Sequence, residues 1–302
     1  MKASIIITTR NRKDELRTAV ASALRQTGDV EVIVVDDGST DGSAEMVRAE
    51  FPQALLERSP TSLGCVQQRN RAAKVASGDI LISIDDDAEF SAPSIVEETM
   101  ALFSQPQIGG VAIPYMEPRK NTLIRQLAPD VDGIWVTDSF IGTAHAVRRD
   151  IFLLLGGYCG DFIHQGEEQD FCMRLMDRGY VIRLGTSAPI FHFESSNRDT
   201  RRMDFYGTRN NILFVWLNVP RRYLLVHLVA TTLNGLRMTR NLFARWRGML
   251  MGYLDCLRHW RARRPVSREV YGLSRRLKKG PPLPIDAVAK ILGEGLLSRS
   301  AG

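Results

Sequence analysis

Short apolar runs alternate with helical patterns along the first hundred residues. Ser4-Ile-Ile-Ile-Thr-Thr9, Val30-Glu-Val-Ile-Val-Val35 and Ile80-Leu-Ile-Ser-Ile84 are β-branched runs that read as buried strands, with Leu55–Arg58 a shorter one. Between them, Asp14 to Gln26 sets Leu16, Val20, Ala23 and Leu24 at helical spacing. Ser43–Glu50 reads as a helix after a Ser/Thr/Asp turn, and Val66 to Ala76 as another, closed by Gly78. The strands end in polar residues. This alternation predicts an α/β fold with a mostly parallel sheet and a ligand crevice along the strand ends.

Further on, the pattern predicts a helix over 93–103 and a strand over 108–113. It predicts a strand or strand–turn within Ser139–Val147 and a short helix stopped at Gly156-Gly157. A helix over 171–178 follows an acidic first turn, and Ile190–Phe193 is a last short strand. Beyond Ser195 the segments 213–219 and 223–236 are apolar and helical in pattern. The second, at about 14 residues, falls short of the roughly 20 a membrane-spanning helix takes. Arg237, Arg240, Arg245, Trp246, Arg247, Arg258, Trp260, Arg261, Arg263 and Arg264 then mix aromatic and basic character. That mixture fits a helix lying in a membrane interface, or a merely solvated face. Pro281-Pro-Leu-Pro284 reads as loop. The division this suggests is a catalytic unit over 1–196 and a basic, mainly helical region over 197–302.

Charge sharpens the division. Residues 1–196 carry 19 Lys and Arg against 28 Asp and Glu; residues 197–302 carry 21 against 6. An acidic body with a basic C-terminal region implies an anionic partner there, such as a lipid surface. No nucleic-acid reader motif is present, so nucleic acid is not expected. Four cysteines without C-x-x-C spacing and a start without a leader pattern predict a cytoplasmic chain, for which the basic C-terminal region leaves open peripheral contact with the inner face of the cell membrane.

Asp85-Asp86-Asp87 at the end of a buried strand is the strongest chemical signal. Three adjacent carboxylates repel and call for a cation; hard ions such as Mn2+ or Mg2+ take carboxylate oxygens and leave positions open for phosphate. Asp36 and Asp37 end another strand, where they could equally be turn formers.

Read in order, Ser4–Arg12, Val34-Val-Asp-Asp-Gly-Ser-Thr-Asp41, Arg69-Asn70, Asp85–Asp87, and Gly156-Gly-Tyr158 before Gly166-Glu-Glu-Gln-Asp170 resemble the family 2 inverting glycosyltransferases with the GT-A fold, of the bacterial cell-surface polysaccharide type. The likeness runs over about residues 3–195. It implies a GT-A fold, a nucleotide-diphosphate sugar donor, a divalent metal and a glycan or lipid-linked acceptor.

Residue by residue, the resemblance assigns Thr8, Thr9, Arg10, Asn11, Asp36, Asp37, Arg69, Asp85 and Asp86 to the donor. Arg10 stands where the family usually has an aromatic. Asp85 and Asp87, with His192, are assigned to the metal. Glu168 is assigned as general base, with Glu167 and Asp170 as alternates. Tyr206, Arg209 and Asn210 could reach a phosphate. The plainer readings are helix-terminus charges for 167–170 and a hydrogen-bonded structural role for His192. A nucleotidyltransferase acting on a sugar phosphate would use similar aspartates, but Thr8-Thr-Arg-Asn11 lacks the glycines of a triphosphate loop.

Overall fold

In a computed structural model of the chain, residues 1–194, 199–237 and 241–292 are described. The expected boundary between residues 196 and 197 lies outside them, as do Arg198 and Arg240.

Strands β1 (Ala3–Thr9), β2 (Val30–Asp36), β3 (Leu55–Arg58) and β4 (Ile80–Asp85) lie parallel in the order β3-β2-β1-β4. Helices α1 (Lys13–Leu24), α2 (Ser43–Glu50) and α3 (Cys65–Val75) connect them. In α1 the buried residues Leu16, Ala19, Val20 and Ala23 form one stripe, which is why this segment is a helix against a sheet. The residues of β1 up to Ile7 are buried on both faces, as a strand between helical layers must be. Gly78 lets the chain enter β4 against the start of β1; a Cβ there would meet the Ser4 backbone nitrogen at 2.7 Å.

The sheet continues beyond β4 through β9 (His145–Arg148), β6 (Ile108–Ala112), β10 (Val181–Leu184), β8 (Trp135–Thr137) and β12 (Leu283–Pro284). Only β8 and β9 run against the other strands, so the nine-stranded sheet is mostly parallel. A small second sheet joins β5 (Ala88–Phe90), β11 (Ile190–His192) and β7 (Tyr115–Met116). The remaining helices are α4 (Ile95–Ala101), α5 (Arg149–Leu154), α6 (Glu167–Asp177), α7 (Thr200–Asn218), α8 (Arg221–Arg237), α9 (Leu242–Arg258), α10 (Arg268–Lys279) and α11 (Ile285–Leu292). No helix among the described residues is long and apolar enough to cross a membrane.

Two expectations change. Within 139–147 only the end from His145 is a strand; before it Ile141 bridges to Ala144, and the Gly142 carbonyl accepts from Arg69 at 3.2 Å. Pro281–Pro284 is not simply loop. Leu283 and Pro284 pair with Val136 and Trp135 at the sheet edge, where a proline's missing N–H costs no ladder bond.

The C-terminal region shares the body's core: Val266, Val270, Leu273, Leu277, Val288 and Leu292 belong to the same hydrophobic cluster as β1 and β4. Leu273, 1% exposed, is an anchor of α10. Truncating it (Leu273→Ala) should lower stability by about 2–5 kcal/mol. The loss should appear as a shift of one cooperative urea transition; a separate early transition would mean that α10 folds apart from the body.

Candidate active site

Strand register builds the site. Thr8 pairs with Asp85 and Thr9 with Asp36, so the polar ends of β1, β2 and β4 meet on one rim. That rim lies where the strand order turns from β1 to β2 on one side and to β4 on the other, the usual ligand crevice of such sheets. His192 arrives from far along the chain: β11 pairs with β5 so that His192 faces Ala88, and the Phe193 N–H donates to the Asp87 carbonyl at 2.8 Å.

A cavity of about 430 Å3 opens on this rim. Thr8, Thr9, Arg10, Asp37, Asp85, Asp86, Asp87 and His192 all line it. So do Arg12, Ser62, Gly64, Cys65, His164 and Gln165, and Asp199, Arg202 and Met203 at the start of α7. Asp85, Asp87 and His192 each bring one ligand atom to a common spot, all within 4.8 Å of one another. His192 Nε2 is 3.3 Å from Asp87 Oδ1 and 4.0 Å from Asp85 Oδ2. Its Nδ1 is buried without a hydrogen bond, with Glu117 Oε1 3.7 Å away. Two carboxylates and an imidazole make a donor set that fits a divalent cation.

Two arginines neutralise the rest. Arg12 Nη1 donates to Asp87 at 2.7 Å and to Asp86 at 3.1 Å; Thr9 Oγ1 donates to the other Asp86 oxygen at 2.8 Å. Burial nevertheless dominates at Asp86 and pushes its carboxyl up to about 7, against the pull of Arg12. Burial also opposes ionisation of Asp87, but His192 and Arg12 outweigh it and hold Asp87 well below the ordinary range. Buried Arg69 donates to Asp85 at 2.6 Å and sits 3.8 Å from both Glu167 Oε1 and Glu168 Oε1. Burial works against the Arg69 charge, but Asp85 and, more weakly, Glu168 keep the guanidinium charged.

Glu167 and Glu168 open α6, where Gly166 takes φ +94°. The two carboxyls are driven upward, Glu167 to about 8, by burial first; Glu168 adds to this at Glu167, while Arg69 pulls both back. The Glu168 side chain keeps 19% exposure against 3% for Glu167. Gly142 faces this pair; a Cβ there would overlap Glu168 Oε1 and lie 2.9 Å from Arg69 Nη1.

Other expected residues are held elsewhere. Asp170 is bound by Arg174 Nε and Asn218 Nδ2, each at 2.8 Å, and joins α6 to its neighbours. Asn11, at φ +54°, ties loops together: its N–H donates to Ser39 Oγ and its Oδ1 accepts from the Thr40 N–H. Asp36 is fully buried and accepts from the Ser39 N–H at 3.0 Å, as a turn former does. Arg209 bonds Asp255, the Asp161 carbonyl and Asn210, and Asn210 donates to the His164 and Gln165 carbonyls. They clamp the loop before α6 and line neither large cavity, and Tyr206 packs edge-on against His164. Sequence reasoning missed Arg12, Glu117 and the start of α7. Only Arg12 had a signal, as a cation close behind a strand end.

This architecture is the GT-A fold, and the comparisons agree. A profile of Glycosyl transferase family 2 matches residues 4–160, and the chain belongs to this family. It is 25% identical over 226 residues to the O-antigen biosynthesis protein RfbC of Myxococcus xanthus, covering 65% of this chain but only 18% of RfbC. Among solved structures, the mannosyltransferase PcManGT of Pyrobaculum calidifontis, in complex with GDP-Man and Mn2+, superposes with a TM-score of 0.59 at 18% identity, covering 99% of this chain and 86% of that one. Residues 1–349 of S. aureus TarS give 0.64 at 17% identity, covering 96% and 90%. At such identity the likeness shows the fold.

Asp37 offers a test of the rim. It accepts from Ser62 Oγ, the Leu63 and Gly64 N–H groups and Gln68 Nε2. Burial opposes its ionisation, but these bonds prevail and its pKa lies below the ordinary 3.8. Asp37→Asn should therefore cost about 2 kcal/mol at neutral pH, because donors lose their acceptor. The difference from wild type should be complete above the ordinary pKa and fade as pH falls through the lowered one. Urea midpoints taken across that range measure it.

Proposed function

We propose that this chain is an inverting, divalent-metal-dependent glycosyltransferase. The donor is a nucleotide-diphosphate sugar and the acceptor a hydroxyl on a glycan or lipid-linked precursor of a cell-surface polysaccharide. The observation that carries this reading is the Asp85–Asp87–His192 spot in the donor cavity, joined through Arg69 to the Glu167–Glu168 pair. Asp85, Asp87 and His192 would hold the ion, and the nitrogen in the set favours Mn2+ over Mg2+. Bound there, such an ion neutralises charge gathering on a leaving diphosphate.

The protein's own groups do the rest. Thr8, Thr9, Arg10 and Asp37 line the walls for the nucleotide. Glu168, the more exposed of its pair, takes the acceptor proton as the oxygen attacks the anomeric carbon. The new C–O bond forms as the bond to diphosphate oxygen breaks, and the nucleoside diphosphate leaves on the opposite face. Arg69 holds Glu168 toward its ionised form against burial. Asp170, pinned by Arg174 and Asn218, is a positioning residue.

Glu168→Gln should lower kcat by about 10²–10⁴-fold while nucleoside diphosphate binding stays. Asp87→Asn should instead weaken the Mn2+ dependence of both. Full activity in both variants would overturn the assignment. Because Glu168 works ionised and its pKa is raised, the acid limb of kcat/KM should lie above pH 4.5. A limb at or below that value would point to a different base.

The outer face of α8 and α9 supports membrane association. No residue of α8 is buried; Leu225 on α8 is 74% and Phe243 on α9 72% exposed, and Trp246 and Leu257 on α9 are exposed as well. Arg221, Arg222, Arg247 and Arg258 lie on the same two helices. Apolar anchors among arginines suit an anionic lipid surface. The chain should co-sediment with anionic vesicles, less so at high salt, and Phe243→Ser/Trp246→Ser should release it. Equal sedimentation of both proteins would remove this part.

A further inference from the structure

The small sheet that delivers His192 also delivers a carboxylate behind it. β11 runs parallel to β7, with Ile190 opposite Tyr115 and Phe191 opposite Met116. One step further in that register sets Glu117 beside His192, and neighbours across a sheet share a face. Both residues are buried. Lys120 Nζ donates to Glu117 Oε1 at 3.2 Å, and Arg125 Nη1 lies 3.6 Å from Oε2.

The two aspartates of the metal spot are each held through one oxygen. Asp85 Oδ1 accepts from Arg69, and Oδ2 faces His192. Asp87 Oδ2 accepts from Arg12, and Oδ1 faces His192. The imidazole repeats this arrangement. Its Nε2 is turned to the two aspartates, and its Nδ1 is buried with no hydrogen bond, 3.7 Å from Glu117 Oε1. A neutral imidazole carries one ring proton. A lone pair on Nε2 for a cation puts that proton on Nδ1, where burial demands an acceptor. Glu117 Oε1 is in place to be that acceptor, and a small rotation of the ring brings the pair to hydrogen-bond distance.

Resting on the metal-dependent reading, we propose that Glu117 is a positioning residue for metal binding. Its carboxylate accepts the Nδ1 proton of His192 and so aims the Nε2 lone pair at the spot shared with Asp85 and Asp87. Glu117 stands behind the ring and is not itself a ligand. The same contact fixes which way the imidazole faces, since a ring turned over would set a nitrogen against the carboxylate only by taking the other from the aspartates.

The test is the Mn2+ affinity of the full chain, read from the EPR signal of free Mn2+. Glu117→Ala and the volume-keeping Glu117→Met should each weaken it by roughly 10–100-fold. In a His192→Ala background the same changes should cost less than about twofold, because the carboxylate then has no imidazole to hold. Pulsed EPR of bound Mn2+ should show nitrogen modulation in wild type and a weaker one in both Glu117 variants. Lys120→Met/Arg125→Met, which removes the cations on Glu117 and keeps its acceptor, should bind Mn2+ as wild type does. Unchanged affinity in both Glu117 variants would overturn the inference and leave the metal reading standing. So would an equal loss with and without His192, or the same loss on removing Lys120 and Arg125, since Glu117 would then act by anchoring its own loop. A wild type that binds no Mn2+ would overturn the metal reading and this inference with it.

Discussion

Crowding of negative charge at the ends of β4 and α6 is the constraint around which the molecule is arranged. Asp85, Asp86 and Asp87 stand side by side, with Glu167 and Glu168 across Arg69. Burying so many carboxylates is tolerable only if each meets a cation or a donor. Arg12 serves Asp86 and Asp87, Arg69 serves Asp85 and faces the glutamates, and His192 faces Asp85 and Asp87. The cations come from three distant segments, so neutralising the cluster also ties the first loop, α3 and β11 together.

That same constraint explains what could be read from the sequence. β1, β2 and β4 are long β-branched runs, and the aspartates that follow them were legible because strand ends in a parallel sheet face a crevice. β5, β7, β8 and β12 have only two or three residues each, too few for any periodicity to register. They are strands because long-range partners make them so. α10 was equally hidden among arginines and lysines, though its stripe of Val270, Leu273 and Leu277 lies in the core.

Within the site, sequence told residue type better than residue role. Asp36 and Asp37 are neighbours, yet one is fully buried in a turn and the other lines the cavity. Asp170 looks like its neighbours Glu167 and Glu168, but helical geometry turns it toward Arg174, one turn along. Asn210 and Arg209 have the chemistry to grip a phosphate and instead spend it on the backbone of the loop 161–165. Partners distant in the chain decide these outcomes, and local spacing does not encode them.

The way His192 is delivered has a consequence for how the molecule comes into being. Its strand can pair with β5 only after nearly two thirds of the chain has been made, although the aspartates it joins lie in the first third. During synthesis, the growing chain therefore carries its acidic tip for a long interval without the imidazole that completes it. Any truncated product ending before β11 would hold the β1–β4 scaffold and lack the imidazole that faces Asp85 and Asp87.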